Sequence, residues 1–253
     1  MTAQPLLEIL HMSKSFGAIK ALRDTHFDLR AGEIHALAGE NGAGKSTLMN
    51  IIDGILQPDS GEIRINGQTV KIDSPATAQR LGIGFVHQEI ALCADISVAE
   101  NIFMARTAQT RKWLVDAADL VTHAREVLSP LADIDPRLPA GSLSISQQQL
   151  VEIAKARTLN CRILILDEPT AALTEHEAQK LFQIMRGLAA RGIGIIYISH
   201  RMAEIFENCD RVTVMRDGQH IRTDRTADIT SADVVNATVG RKLDTLYPPK
   251  MQG

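Results

Sequence analysis

Gly39-Glu40-Asn41-Gly42-Ala43-Gly44-Lys45-Ser46-Thr47 satisfies the phosphate-loop pattern G-x-x-x-x-G-K-[ST] at every fixed position. Residues 33–38 before it read as a short strand and residues 46–52 after it as a helix. Strand, glycine loop and helix is the order such a loop requires. Gly39, Gly42 and Gly44 let the backbone turn tightly with its N–H groups converging, and the helix N-terminus adds partial positive charge where anionic phosphate would sit. Lys45 then meets the β/γ-phosphates of a bound triphosphate, and the Ser46 hydroxyl faces Mg²⁺.

With 253 residues, the chain is long enough for one large domain or for a domain carrying an inserted subdomain. Its 45% hydrophobic and 23% charged residues are ordinary for a globular protein, and 4% aromatic suits an aliphatic α/β core. A net charge of −3 and a pI near 6.2 speak against a basic nucleic-acid surface, so nucleic acid is not an expected partner. Cys93, Cys161 and Cys209 form no C-x-x-C pair, which suits a reduced cytoplasm, and Cys161 is expected in the core. No segment approaches the roughly 18 apolar residues needed to span a bilayer, so any membrane link runs through a partner.

Strands are expected at residues 6–16 and 25–30, with a hairpin at 61–70 turning on Asn66-Gly67; together they form an antiparallel portion flanking the nucleotide. Phe16 within it either stacks on an adenine base or packs in the core. A short helix at 76–81 leads to a buried strand at 82–88, which leaves Gln88 at a strand end. Strand signals then vanish, and helices are expected at 98–104, 115–128 and 146–157, punctuated by Pro130, Pro136 and Pro139. The apolar runs 161–167 and 193–199, separated by a helix at about 175–191, read as buried parallel strands. A last strand at 210–216, an Asp217-Gly218 turn and a helix at about 231–239, capped by Thr230 or Ser231, precede a tail containing Pro248-Pro249.

Asp167-Glu168 closes the run Ile163-Leu164-Ile165-Leu166, placing two carboxylates at the C-terminal edge of a parallel sheet, where open α/β sheets bind ligands. Asp167 would hold Mg²⁺, and Glu168 would orient or deprotonate an attacking water. His200 ends the next apolar run and projects from the same edge, where an imidazole can contact a γ-phosphate or polarise water. No ligand spacing links the other seven histidines.

In motif order and over nearly its whole length the chain resembles the ATP-binding cassette (ABC) family. The residues that carry this are the loop at 39–47, Gln88 in the Q-loop position, Leu143-Ser144-Ile145-Ser146-Gln147 in the signature position, Asp167-Glu168 and His200. Gln147-Gln148-Gln149-Leu150-Val151-Glu152-Ile153-Ala154-Lys155, Asp167-Glu168-Pro169-Thr170-Ala171-Ala172-Leu173-Thr174 and Ile198-Ser199-His200-Arg201-Met202 are similar to the monosaccharide-import ATPases of ribose, galactoside or fructose type. The resemblance implies one α/β domain with a P-loop NTPase (RecA-like) core. Residues 1–88 and 161–240 would form that core with its antiparallel β subdomain, 89–160 an inserted α-helical subdomain, and 241–253 a tail.

The resemblance also implies ATP and Mg²⁺ as cofactors. Lys45, Gln88, Glu168 and His200 would be catalytic, and Ser46, Gln88 and Asp167 would face the metal. Phe16 would stack on the base, and Gly39, Glu40, Asn41, Gly42, Ala43, Gly44, Lys45, Ser46 and Thr47 would hold the phosphates. Ser144, Ser146 and Gln147 would reach the ATP of a second cassette paired head-to-tail, as a homodimer. Permease subunits would dock near Gln88 and residues 89–104, where charge at Ile96 or Phe103 would uncouple transport, and an extracytoplasmic sugar-binding protein would act only indirectly. The chain would then sit peripherally on the cytoplasmic face of the inner (plasma) membrane, either as a natural single cassette or as a shortened two-cassette protein.

Ile145 and Ser146 replace the two signature glycines of the family. Ser146 would obstruct the phosphate, strain a position that needs positive φ, or cap the helix and donate to phosphate itself. A weakly active or regulatory cassette is therefore one alternative reading, and a soluble non-transport ABC ATPase is another. The sugar remains open, because specificity would lie in other chains.

Overall fold

Alternation within the buried strands decides how the molecule is layered. The computed structural model describes residues 4–87, 90–110, 117–158 and 161–240, leaving Gln88 and the 241–253 tail outside the described residues. Five parallel strands, β3 (Ile34–Ala38), β6 (Ile83–Val86), β7 (Ile163–Asp167), β8 (Gly194–Ile198) and β9 (Arg211–Arg216), form a sheet in the order β9-β3-β8-β7-β6. Ile163 and Ile165 face one hydrophobic core, while Leu164 and Leu166 face the other. Side chains of period two on a sheet covered on both faces give a continuous apolar run in sequence and two separate cores in space.

On one face lie helix α1 (Lys45–Ile52) and an antiparallel sheet of β1 (Leu7–Phe16), β2 (Ile19–Leu29), β4 (Ser60–Ile65) and β5 (Gln68–Val70), ordered β2-β1-β4-β5. The opposite face carries α3 (Val98–Thr110), α4 (Ala117–Leu128), α5 (Ile145–Thr158), α6 (Glu175–Ala189), α7 (Met202–Asn208) and α8 (Ser231–Val239). Helix α2 (Pro75–Arg80) precedes β6 and is N-capped by Ser74. The Asn66-Gly67 hairpin forms as expected, with φ of 50° and 74° at its two central residues, as a type I′ turn requires. Thr230, rather than Ser231, caps α8 in a capping box with Asp233.

Several expectations need correction. β2 begins at Ile19, six residues before the expected start, because bulges against β1 break its alternation. The turn at Asp217-Gly218 leads into a further antiparallel strand, β10 (Gln219–Arg225), whose largely polar side chains hid it, and α7 was too short to signal. Phe103 is only 6% exposed and packs inside the helix-side core, so it is not a docking residue. A fork from Arg211 to both Asp28 oxygens, at 2.7 and 2.8 Å, ties β9 to β2 and hence one sheet to the other. Burial works against the Asp28 carboxylate, but the Arg211 guanidinium outweighs it and holds the carboxyl below its ordinary range.

Ile165 is fully buried between the layers, whereas Ile145 is 64% exposed. Ile165→Ala should therefore lower the unfolding free energy by about 2–5 kcal/mol in urea titration. Ile145→Ala should change it by less than about 0.5 kcal/mol. Equal losses would contradict this layering.

Candidate nucleotide site

β3 delivers the chain to the loop at its carboxyl end, and α1 starts at Lys45 with Gly44 as its N-cap. Gly44 sits at φ 97°, and a Cβ there would come within 2.7 Å of the Ala21 carbonyl oxygen, so both conformation and space demand glycine. No side chain caps α1, and its first turn holds no acidic residue, which leaves the positive end of the helix available to an anion. Lys45 Nζ donates to the carbonyls of Gly39 at 2.7 Å and Glu40 at 3.1 Å, folding over the loop. Burial lowers the Lys45 pKa, opposed by the charges of Glu168 and Asp167.

A cavity of about 620 Å³ opens in front of the loop, walled by Asn41, Gly42, Gly44, Lys45, Ser46 and Thr47. The remaining wall comes from the antiparallel sheet, through Phe16, Ile19, Lys20, Ala21 and Arg23, and from Asp217. Phe16 is 45% exposed, with Lys14 Nζ 5.7 Å from its ring centroid, so it faces the cavity and is not a core residue. Ala43 is buried under the loop and Glu40 is exposed on it. Ile19, Lys20, Arg23 and Asp217 carried no motif; only the pairing of β1 with β2 and the β9–β10 turn bring them here.

Asp167 and Glu168 occupy the expected sheet edge. Burial raises the Asp167 pKa, the neighbouring Glu168 charge raises it further, and Lys45 and His87 pull it back only in part. Glu168 has φ 47°, an uncommon conformation for a carboxylate residue, pinned by its N–H donating to the Ile198 carbonyl at 2.9 Å. His200 Nδ1 lies 3.0 Å from Glu168 Oε1, and the ring is 70% exposed. The loop carrying His200 is held from behind by Glu204. Its Oε2 accepts from Tyr197 (2.5 Å), Thr170 (3.0 Å) and Ser199 (3.2 Å), which fastens the chain after β8 to the chain after β7. His87 stacks on Phe85 with ring centroids 4.0 Å apart and lies 3.6 Å from Asp53. Neither Glu204 nor the His87–Asp53 pair had a signal in the sequence.

Ser144, Ser146 and Gln147 do not line this cavity; they stand at the N-terminus of α5. Ser144 Oγ accepts from the Gln147 N–H at 3.3 Å, and Gln147 Oε1 accepts from the Ser144 N–H at 3.0 Å, a reciprocal capping box. Ser144 therefore caps this helix, not Ser146. Nor is Ser146 strained, since His11, Asp24, Asn66, Glu168 and Asp217 are the described non-glycine residues with positive φ. Its hydroxyl lies 3.1 Å from Ser144 Oγ, while the Glu177 carboxylate at the start of α6 accepts from Thr174.

A glycine loop on an uncapped helix, with its lysine facing paired carboxylates on a nearby parallel strand, defines the P-loop nucleotide-binding class of α/β protein. The family described as ABC transporter matches residues 22–171, and the chain belongs to that family. It is 68% identical over 246 residues to the ribose import ATP-binding protein RbsA 2 of Agrobacterium fabrum, covering 97% of this chain and 49% of that one. It is 65% identical over 252 residues to the ribose import ATP-binding protein RbsA of a Ruegeria species, covering 100% of this chain and 49% of that one. The chain thus spans about half the length of the curated relatives it matches. Among solved structures, the ATP-binding cassette MJ1267 of an ABC transporter superposes with a TM-score of 0.81 at 28% identity, covering 92% of this chain and 98% of that one. The dimeric bacterial cassette MJ0796 gives 0.78 at 25% identity, covering 87% and 98%.

The Asp167 carboxyl binds its proton more tightly folded than unfolded, so its contribution to stability is full at pH below its unfolded pKa and is lost as pH rises through the folded value. Asp167→Asn should therefore raise the melting temperature of the nucleotide-free protein at pH 7.5, with the gain vanishing toward pH 3. A variant less stable than wild type at pH 7.5 would show that the Lys45 attraction outweighs burial.

Proposed function

We propose that this chain is the ATP-hydrolysing cassette of an importer for a monosaccharide of the ribose class. The observation that carries this reading is the convergence of Lys45, Asp167, Glu168 and His200 on one sheet edge beside the cavity in front of the phosphate loop. The identity to ribose import ATP-binding proteins supports the class of cargo.

The groups present fit a nucleoside triphosphate with Mg²⁺. The uncapped α1 N-terminus and Lys45 meet the phosphates, Phe16 offers a face to the base, and Gly39 to Thr47 supply the cradle. Ser46 and Asp167 would hold Mg²⁺, with Gln88 as a further ligand, and the ion would supply neutralisation of phosphate charge. Asp167's raised pKa fits such a role, because a carboxylate that burial makes costly to ionise gains most from a dication. Glu168 holds the attacking water and accepts its proton, and His200 steadies that carboxylate through Nδ1.

Residues 1–88 and 161–240 act as the nucleotide-binding core, with 89–160 as the helical arm that meets the permease. Two chains pair head-to-tail, so that Ser144, Ser146 and Gln147 of one face the ATP of the other. Their position outside this chain's own cavity supports that arrangement, as does the dimeric cassette of known structure. Among the described residues no helix is long and apolar enough to cross a membrane. In this reading the chain attaches to the cytoplasmic face through the permease, which receives sugar from an extracytoplasmic binding protein.

Lys45→Ala should abolish ATP turnover and weaken ATP binding by at least about tenfold, since it removes a charge-assisted contact. Glu168→Gln should retain ATP binding, stop hydrolysis and, on size exclusion with ATP and Mg²⁺, elute as a dimer. A monomer that binds ATP would argue against the paired arrangement or against Glu168 as the base. At Ser146 the side chain, not the backbone, is the obstacle, because its backbone is unstrained while its Cβ and hydroxyl stand beside Ser144 Oγ at the helix end that would meet phosphate. Ser146→Gly should raise dimer-dependent turnover several-fold with monomer ATP affinity unchanged; equal or lower turnover would favour a serine that donates to phosphate.

A further inference from the structure

Two bulges in the pairing of β1 with β2 bring together side chains that are scattered in sequence. Between the pairs Ile9–Phe27 and Met12–Thr25, Leu10 and His11 oppose the single residue His26; between Met12–Thr25 and Lys14–Leu22, the extra residue lies on β2, where Arg23 and Asp24 oppose Ser13. His11 and Asp24 both adopt left-handed backbone, with φ of 53° and 54°. Bulges re-aim side chains, and here they turn His11 toward Asp24 while Asp24 and His26, two residues apart, share a face of the strand.

His11 Nδ1 lies 2.7 Å from Asp24 Oδ1, His26 Nε2 lies 3.7 Å from the same oxygen, and one ligand atom from each residue falls within 4.8 Å of the others. Donors of a tetrahedral site with bonds of about 2.0–2.1 Å lie roughly 3.3 Å apart, between the two observed separations. The backbone beneath is braced: Thr25 is buried and donates Oγ1 to the Gly218 carbonyl at 2.6 Å, and the Asp24 N–H donates to Ser13 Oγ at 3.1 Å. His26 Nδ1 accepts from the His11 N–H at 3.5 Å, a long contact that is given up when the ring proton moves to Nδ1 and Nε2 turns to a cation.

We propose that His11, Asp24 and His26 form a surface site for one transition-metal dication, with Zn²⁺ as the first test case. Two imidazole nitrogens and one carboxylate oxygen suit Zn²⁺, Ni²⁺ or Cu²⁺, whereas Mg²⁺ and Ca²⁺ prefer all-oxygen shells. Water completes the coordination, because the cluster is open to solvent; His11 is 72% and Asp24 69% exposed. The site lies on the strands that wall the nucleotide cavity but is separate from the phosphate loop, and it uses none of that loop's residues.

The test is calorimetric titration of ZnCl₂ into the chelator-treated full chain in excess Mg²⁺. It is repeated with His11→Asn, Asp24→Asn and His26→Asn. Asparagine tolerates left-handed backbone, so the first two variants keep the bulges, and metal-free melting curves confirm folding. The expected result is one strong Zn²⁺ site in wild type, weakened at least tenfold in each folded variant. The side-chain nitrogen NMR signals of His11 and His26 should shift together on Zn²⁺ addition. Absence of binding overturns the proposal, and so does binding that the three variants leave unchanged, which would place the ion on other side chains such as Cys93 or the His200–Glu168 pair.

Discussion

The parallel register of β3, β8 and β7 is the constraint on which the site depends. Leu37 pairs with Ile198, and Ile198 with Asp167, so three strands end in one row across the sheet. Two residues beyond Leu37 the phosphate loop begins, one beyond Asp167 stands Glu168, and two beyond Ile198 stands His200. Slipping any strand by one residue would exchange its two faces, sending Ile163 and Ile165 into the helix-side core and turning the carboxylate away from Lys45. Hydrophobic burial on both faces therefore locks the geometry of a polar edge that could not hold itself together.

That edge is electrostatically unfavourable by construction. Asp167 is kept near Glu168 in a half-buried place that penalises its charge, and Lys45 loses part of its own basicity to the same burial. Glu168 adds an uncommon backbone conformation, held by the Ile198 carbonyl, and the bonds converging on Glu204 fix the adjoining loop from behind. Strain and unfavourable charge persist at functional sites when the surrounding structure over-determines them. Here the strands and the Glu204 cluster supply that support.

The signature end of α5 shows how three readings of one residue are separated only in three dimensions. From sequence, Ser146 was open to strain, to capping or to obstruction. Ser144 and Gln147 take the capping roles, Ser146 keeps ordinary backbone, and its hydroxyl lies beside Ser144 Oγ.

Most of the fold was legible because it rests on local signals. The glycine loop, the two apolar runs, the Asn66-Gly67 turn and the helix caps each act within a few residues of chain. Weakly patterned elements were missed: β10, whose side chains are largely polar, the early part of β2, whose bulges break the alternation, and seven-residue α7. By itself the sequence determined that a strand, a phosphate loop and paired carboxylates would meet at a sheet edge, since motif chemistry and strand periodicity are read along the chain. Only the tertiary structure decided that Phe16 faces the cavity and Phe103 the core, that Glu204 braces the His200 loop, and that His11, Asp24 and His26 converge. Each of these depends on register, bulges and packing between residues far apart in sequence, and those are set by the summed burial of whole layers and not by any local preference.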